Sequence, residues 1–123
     1  MKVMMLGPFP RAPERIDGGV AAAITYLSRE LVAEPGIDLI GVRVAPGAVG
    51  SSENSAFDWP IVDLSLGRGS VSTFYFRQRR RFAEILREFQ PDIVHAHGAD
   101  VSGVLAVGSG YPSVVTVHGL LAE

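Results

Sequence analysis

All three histidines of the chain lie in two short segments that could form one site. His95 and His97 are two residues apart in an apolar run, so they share one face of a predicted strand. His97 and His118 each lie at the end of a predicted strand, and each precedes a glycine. We expect these two imidazoles to face one crevice if the two strands are neighbours. His95 lies deeper in its strand, and we interpret it as a core histidine bonded to a backbone carbonyl.

Three imidazoles are also a known ligand set for zinc. A catalytic zinc needs carboxylates that orient its histidine ligands, and the nearby Asp92 and Asp100 stand at no obvious position for this role. A histidine-ligated metal hydrolase is therefore the weaker alternative, and we expect no bound metal or cofactor. The chain has no cysteine, which excludes disulfides, thiolate metal sites and thiolate nucleophiles.

A glycine pair, Gly18 and Gly19, stands at the predicted start of the first helix. Two residues without Cβ would let backbone N–H groups and the helix dipole approach an anion closely. The alternative is that the glycines only permit the turn into the helix. Longer phosphate-binding patterns are absent, because Val104 stands where a P-loop built on Gly98 and Gly103 requires lysine, and no dinucleotide pattern occurs.

An arginine-rich run, Arg77-Gln78-Arg79-Arg80-Arg81, lies in the second predicted helix. At helical spacing Arg80 and Arg81 can reach Glu84, so the ordinary interpretation is a solvated face. The alternative is that Arg77, Arg80 and Arg81 contact an anionic group, either a lipid head group or a phosphorylated acceptor.

The elements that must position these residues are short apolar runs alternating with longer stretches of helical period. Three helices are predicted, from Val20 to Leu31, from Val71 to Phe89 and from Val101 to Val107. Five strands are predicted, namely Lys2–Leu6, Ile37–Val44, Ile61–Leu64, Asp92–His97 and Ser113–Val117. The alternation predicts an α/β fold, a Rossmann-like parallel sheet of about five strands in the order 3-2-1-4-5, or its flavodoxin-like relative, with helices on both faces.

Details of the helices and one loop carry further expectations. The apolar stripe of the first helix is expected to consist of Val20, Ile24, Leu27 and Leu31, and Gln78 interrupts the stripe of the second. The segment Ala45–Asp58 shows neither helical nor strand periodicity, and we interpret it as a flexible loop that is either disordered or a binding loop.

Composition excludes several classes of protein. The chain has 123 residues, 47% of them hydrophobic, and a formal net charge of −2, which describes one globular domain without a field that attracts nucleic acid. The apolar run Val3–Leu6 stops at Gly7, far short of the about 18 apolar residues that a membrane span needs. We expect a cytoplasmic protein.

Five segments of the chain, taken in order and with their spacing, resemble the N-terminal, acceptor-side domain of family 4 retaining glycosyltransferases, which have the GT-B fold of two Rossmann-like domains around a cleft. The segments are Met1–Leu6, Gly7-Pro8-Phe9-Pro10 with Gly18-Gly19-Val20, Tyr26–Leu31, Pro91–His97 and Val115–Gly119. The resemblance implies transfer of a sugar from a nucleotide diphosphate donor to an acceptor hydroxyl with retention, usually without a metal. It also implies that Gly18 and Gly19 contact the donor phosphates or the acceptor, that His97 is a cleft residue, and that His118 touches the transferred sugar.

The resemblance further implies what the chain lacks. Members of the family carry a second domain with most of the donor contacts, including two glutamates separated by seven residues, whereas this chain stops at Glu123. We therefore expect a truncated N-terminal part of a two-domain enzyme, spanning residues 1–123, that binds donor weakly and is inactive alone. We also expect self-association through an exposed fifth strand, and a peripheral contact with the inner face of a membrane. A free-standing flavodoxin-like binding or regulatory module remains the alternative.

Overall fold

The computed structural model describes residues 1–12, 18–46, 51–52, 57–66, 76–98 and 101–117. Strands and helices alternate along these ranges. In chain order they are β1 (Lys2–Gly7), α1 (Gly19–Val32), β2 (Asp38–Pro46), β3 (Ser51–Ser52), β4 (Ile61–Leu66), α2 (Phe76–Phe89), β5 (Ile93–His97), α3 (Val101–Val107) and β6 (Ser113–Thr116).

The described strands form one sheet in the order β3-β4-β2-β1-β5-β6. Strands β4, β2, β1, β5 and β6 are parallel, and Met4 of β1 stands between Ile40 of β2 and Val94 of β5. The predicted Rossmann-like order 3-2-1-4-5 is therefore confirmed for the parallel strands. Strand order reverses between β1 and β5, so the carboxyl ends of these two strands border the crevice in which such sheets bind ligands.

The segment from Ala45 to Asp58 contains more structure than its lack of period suggested. Strand β2 continues to Pro46, and Ser51 and Ser52 pair antiparallel with Ile61 and Val62 at the outer edge of β4. The outer edge of β4 has unpaired backbone N–H and C=O groups, which can bond to a nearby backbone whatever side chains that backbone carries. The side-chain pattern therefore does not predict β3.

Helices cover both faces of the sheet, as predicted. Met4, Met5 and Leu6 are fully buried, and their side chains alternate between the two faces. Burying each such side chain stabilises the fold by about 1.5–3 kcal/mol. One core lies beneath α2 and α3 and includes Leu6, Val42, Phe82, Ile85, Val94 and Leu105. The other lies on the α1 side and includes Val3, Met5, Phe9, Ile24, Leu39, Phe57, Trp59 and Ile61.

Helix α1 packs on the sheet through a face different from the predicted one. Its buried residues are Ala21, Ile24, Thr25 and Ser28, whereas Leu27 is 36% exposed. Three of these four side chains are small, so the helix backbone can lie close to the sheet. Of the expected stripe, Ile24 lies within that contact, whereas Val20, Leu27 and Leu31 are less buried beside it.

Helix α2 also buries an unexpected residue. Gln78 is 7% exposed, and its Nε2 donates a hydrogen bond to the backbone oxygen of Ser65 at 3.1 Å. The side chain that interrupts the apolar stripe therefore ties the first turn of α2 to the end of β4. The predicted beginning of this helix, with Val71, Phe74 and Tyr75, lies outside the described residues.

Candidate functional site at the carboxyl edge of the sheet

The glycine pair lies where α1 begins, and its two members have different structural requirements. Gly18 precedes the helix with φ 87° and ψ 165°, a conformation that is essentially restricted to glycine. Gly19 has no such dihedral, and a Cβ added there would meet no atom of the described residues within 4 Å. The turn into the helix thus explains Gly18, whereas neither backbone strain nor crowding explains Gly19.

The N-terminus of α1 is uncapped within the described part of the chain. No described side chain bonds to it, and its first turn contains no acidic residue. Gly18 and Gly19 are both exposed. The first N–H groups of a helix have no acceptor within the helix, and they coincide with the positive end of its dipole. This end of α1 therefore favours an anion.

Gly7 brings the end of β1 into close contact with α1 and β5. A Cβ at this position would lie 2.7 Å from Cδ1 of Ile24 and 3.3 Å from Cβ of His97. Sequence reasoning assigned Gly7 no packing role. A glycine that ends the first strand of a βαβ unit was the available indication, because close helix–strand packing is one known use of glycine there.

His97 lies at the carboxyl end of β5, as predicted, but its side chain is 3% exposed. Its ring stacks on that of His95, with centroids 4.3 Å apart and an angle of 26° between the planes. The Nε2 atom of His95 lies 2.7 Å from Oγ1 of Thr116, a hydroxyl of β6. The end of β1 at Gly7 therefore packs closely against β5 at His97.

His118, the predicted catalytic residue, lies outside the described residues. The last described pair of β5 and β6 joins His97 to Thr116, so the chain leaves β6 at the same edge where His97 ends its strand. Within the described ranges, no three histidine or acidic side chains come close enough together to hold a metal ion.

Arg43 anchors the connection that follows β1. Its Nη1 donates to Oδ1 of Asp63 at 2.6 Å, its Nε to the backbone oxygen of Phe9 at 3.0 Å, and its Nη2 to that of Pro10 at 2.9 Å. The side chains of Arg43 and Asp63 are only 12% and 6% exposed. Sequence reasoning missed this pair. Opposite charges at matching positions in two predicted strands were the available indication.

Aromatic side chains also fix the beginning of the connection between β1 and α1. The ring of Phe9 lies against the backbone of Gly41, where an added Cβ would come within 2.8 Å of it. The rings of Phe57 and Trp59 pack around it, with centroids 6.2 and 6.3 Å from that of Phe9. The residues between β1 and α1 are therefore fixed at their beginning by both polar and apolar contacts.

The arginines of α2 form a separate surface. Arg77, Arg80 and Arg81 are exposed, and Nη1 of Arg81 lies 3.2 Å from Oε2 of Glu84, as predicted. The pair expected between Arg80 and Glu84 does not form, although the structure describes both residues. Since α2 and α1 cover opposite faces, the structure does not bring these arginines together with Gly18 and Gly19.

Comparison with known proteins adds one match. The sequence model of a family described as Glycosyltransferase Family 4 matches residues 17–123, which include most of the chain and all but one of its described helices and strands. No curated protein matches the chain.

Proposed function

We propose a function for this chain, which belongs to glycosyltransferase family 4. It takes part in the transfer of a sugar from a nucleotide diphosphate donor to an acceptor hydroxyl, with retention at the anomeric carbon. The chain is an N-terminal domain of that family. A second domain, in this proposal, supplies the opposite wall of the cleft and most contacts to the donor.

The proposed reaction develops negative charge that this domain can stabilise. The bond between the anomeric carbon and the diphosphate oxygen breaks, a bond from that carbon to the acceptor oxygen forms, and the proton of the acceptor hydroxyl passes to the departing diphosphate. Negative charge develops on the departing diphosphate. Fixed dipoles aimed at that charge lower the barrier because they need no reorganisation during the reaction.

One observation carries the proposal, namely the exposed and uncapped N-terminus of α1 at Gly19. Its N–H groups can donate to a diphosphate, and the absence of a Cβ at Gly19, which none of the described residues requires, leaves room for close approach. In this proposal Gly18 and Gly19 contact the donor phosphates or the acceptor. His97 is a cleft residue that contacts the substrate or the donor phosphates, and His118 touches the transferred sugar as the catalytic residue, with no metal taking part.

The replacement Gly19→Glu tests this role because stability and binding should change in opposite directions. A carboxylate in the first turn interacts favourably with the dipole of α1 and should raise the free energy of unfolding by about 0.3–1 kcal/mol. The same charge repels an anion, so the affinity for inorganic pyrophosphate should fall about tenfold or more. NMR titration of the amides of Gly19, Val20 and Ala21 measures the affinity, and urea unfolding measures the stability.

The matched control is Ala33→Glu, which adds the same charge at the exposed opposite end of α1. There the carboxylate should lower stability slightly and leave pyrophosphate affinity unchanged. Equal affinities in the wild type and in Gly19→Glu would contradict the proposed diphosphate contact. Gly18→Ala is not a useful variant, because strain at its positive φ would reduce stability whatever the ligand does.

A second contact belongs to the same proposal. Arg77, Arg80 and Arg81 of α2 contact phosphate groups, either on lipid heads or on a phosphorylated acceptor. Their exposure supports this contact, as does the neighbouring Phe76, whose side chain is 59% exposed. An apolar ring beside several guanidinium groups is suited to the boundary between head groups and acyl chains. On a membrane, this contact would be peripheral at the inner face.

A further inference from the structure

A groove lies beside α2, on the side of the sheet that α2 and α3 cover. Among the described elements on this side, α3 packs on β1, β5 and β6, and α2 packs on β4. The described residues leave part of β2 and β4 open beside α2. The groove has a volume of about 270 Å³, and its lining consists of Ile40 of β2, Val62 of β4, and Arg81, Ile85, Glu88 and Phe89 of α2.

The floor of this groove is apolar. Ile40 and Ile85 are 9% and 3% exposed, and Val62 and Phe89 are partly buried against the same core. Water above such a floor finds no hydrogen-bonding partner in it. An aliphatic group that displaces this water therefore binds favourably, in proportion to the apolar area that it covers.

One end of the groove is continuous with the arginine surface of α2. Arg81 lines the groove, and the exposed Arg77 precedes it by one helical turn, so both guanidinium groups can reach one anion. The ion pair of Arg81 with Glu84 does not oppose this contact strongly. Both side chains are nearly half exposed, and exposed ion pairs contribute little free energy.

The charges on the rim determine how an anionic amphiphile would lie. Glu88 stands two turns beyond Arg81, so it would repel an anionic head that Arg77 and Arg81 attract. The favoured direction has the head at Arg81 and an uncharged chain that extends along α2 to Phe89. This part of the helix rises by about 12 Å, which gives the chain a path several carbon atoms long.

We infer that this groove binds the aliphatic chain of a single lipid, while Arg77 and Arg81 bind the phosphate of its head group. The inference rests on the proposed function, because the phosphate contact of these arginines is the one proposed there. It assigns that contact to a membrane lipid and not to a soluble phosphorylated acceptor. A soluble acceptor has no aliphatic chain that would cover the floor formed by Ile40, Val62, Ile85 and Phe89.

The principal test titrates the wild type with octyl phosphate at concentrations below those at which it forms micelles. Inorganic phosphate and octyl glucoside are the matched probes, because each carries only the head charge or only the chain. NMR should show octyl phosphate shifting the methyl signals of Ile40, Val62 and Ile85. Each methylene group removed from water raises affinity about fourfold, so three buried groups should make octyl phosphate bind about sixtyfold more tightly than inorganic phosphate.

Two variants separate the chain from the head group. Val62→Asn places a polar amide on the floor and should weaken both octyl probes about tenfold, with no effect on inorganic phosphate. Arg81→Gln should weaken octyl phosphate about fivefold and leave octyl glucoside unchanged. Since Arg81 is exposed, its replacement keeps the test decisive if Val62→Asn does not fold. Val107→Asn is the control, because Val107 is 72% exposed on α3 and does not line the groove.

The outcomes distinguish this inference from the proposed contact. Equal binding of octyl phosphate and inorganic phosphate overturns the inference, whereas the phosphate contact stands. Methyl shifts at Val104 and Val107 in place of those at Ile40, Val62 and Ile85 have the same meaning. If octyl glucoside binds as tightly as octyl phosphate while inorganic phosphate does not bind, or if none of the three binds, both the phosphate contact and the inference fail.

Discussion

At the scale of single residues, the glycines of the sheet and of the start of α1 serve different purposes that only their surroundings reveal. Gly7 and Gly41 are needed because a neighbouring side chain occupies the space of a Cβ, from Ile24 in one case and from Phe9 in the other. Gly18 is needed for its dihedral angles. Gly19 has neither requirement, which is why we connect it with a ligand and not with the fold.

Replacement of Gly7 by alanine tests the packing role. The added Cβ would lie 2.7 Å from Cδ1 of Ile24 and would press α1 away from β1, so the free energy of unfolding should fall by about 1–3 kcal/mol. Gly19→Ala is the control, since its Cβ enters open space and should change stability by less than about 0.5 kcal/mol. Urea unfolding measures the free energy of unfolding of both variants. Equal values for Gly7→Ala and Gly19→Ala would contradict the packing role of Gly7.

At the scale of elements, α2 combines an anchoring side and a charged side. Gln78 bonds to Ser65 and Phe82 fills the core, while Arg77 and Arg80 remain exposed on the same two turns. A helix fixed so firmly on one side presents its arginines as a preformed surface. The longest described helices, α1 and α2, have 14 residues each. None of the described helices is long and apolar enough to cross a bilayer.

Flotation with vesicles tests the arginine surface of α2. Near an anionic surface each arginine contributes about 1 kcal/mol, so replacing Arg77 and Arg80 by glutamine should weaken binding about thirtyfold, and added salt should weaken it further. Arg87→Gln is the matched control, because Arg87 is exposed in the last turn of the same helix. If the wild type floats equally with neutral and anionic vesicles, the lipid contact is ruled out. Retained binding of inorganic phosphate would then favour a phosphorylated acceptor.

At the scale of the whole molecule, the sheet has two different edges. The edge at β4 is covered by β3, whereas β6 pairs only with β5 within the described part of the chain. Val114 of β6 and Val117 after it are 44% and 59% exposed. An edge strand with exposed valines can pair with a second copy of itself, so the expected self-association remains a prediction that this edge supports.

Light scattering over a range of concentrations tests that association. The wild type should change from monomer towards dimer as concentration rises, and Val114→Lys should remain monomeric because a charged side chain opposes edge pairing. Val104→Lys is the control, since Val104 is 48% exposed on α3 and belongs to no strand of the sheet. A wild type that is monomeric at every concentration contradicts the prediction.

The sequence by itself determined the parallel sheet, its strand order and the helices on both faces. These features depend on local apolar runs and on the right-handed crossover, both of which are properties of consecutive residues. It also placed Gly18, Gly19 and His97 at the carboxyl edge, because the end of a strand or the start of a helix can be recognised from its neighbours.

Only the tertiary structure decided which residues meet across that edge. The close contact at Gly7, the burial of His97 beside it, the bonds from Arg43 to Phe9 and Pro10, and the strand at Ser51 and Ser52 each join segments that are far apart in the chain. The same is true of α1, where Ala21, Thr25 and Ser28 face the sheet beside Ile24, while Leu27 does not. Burial and hydrogen bonding depend on the partner that packing brings close, and periodicity along one segment contains no information about that partner.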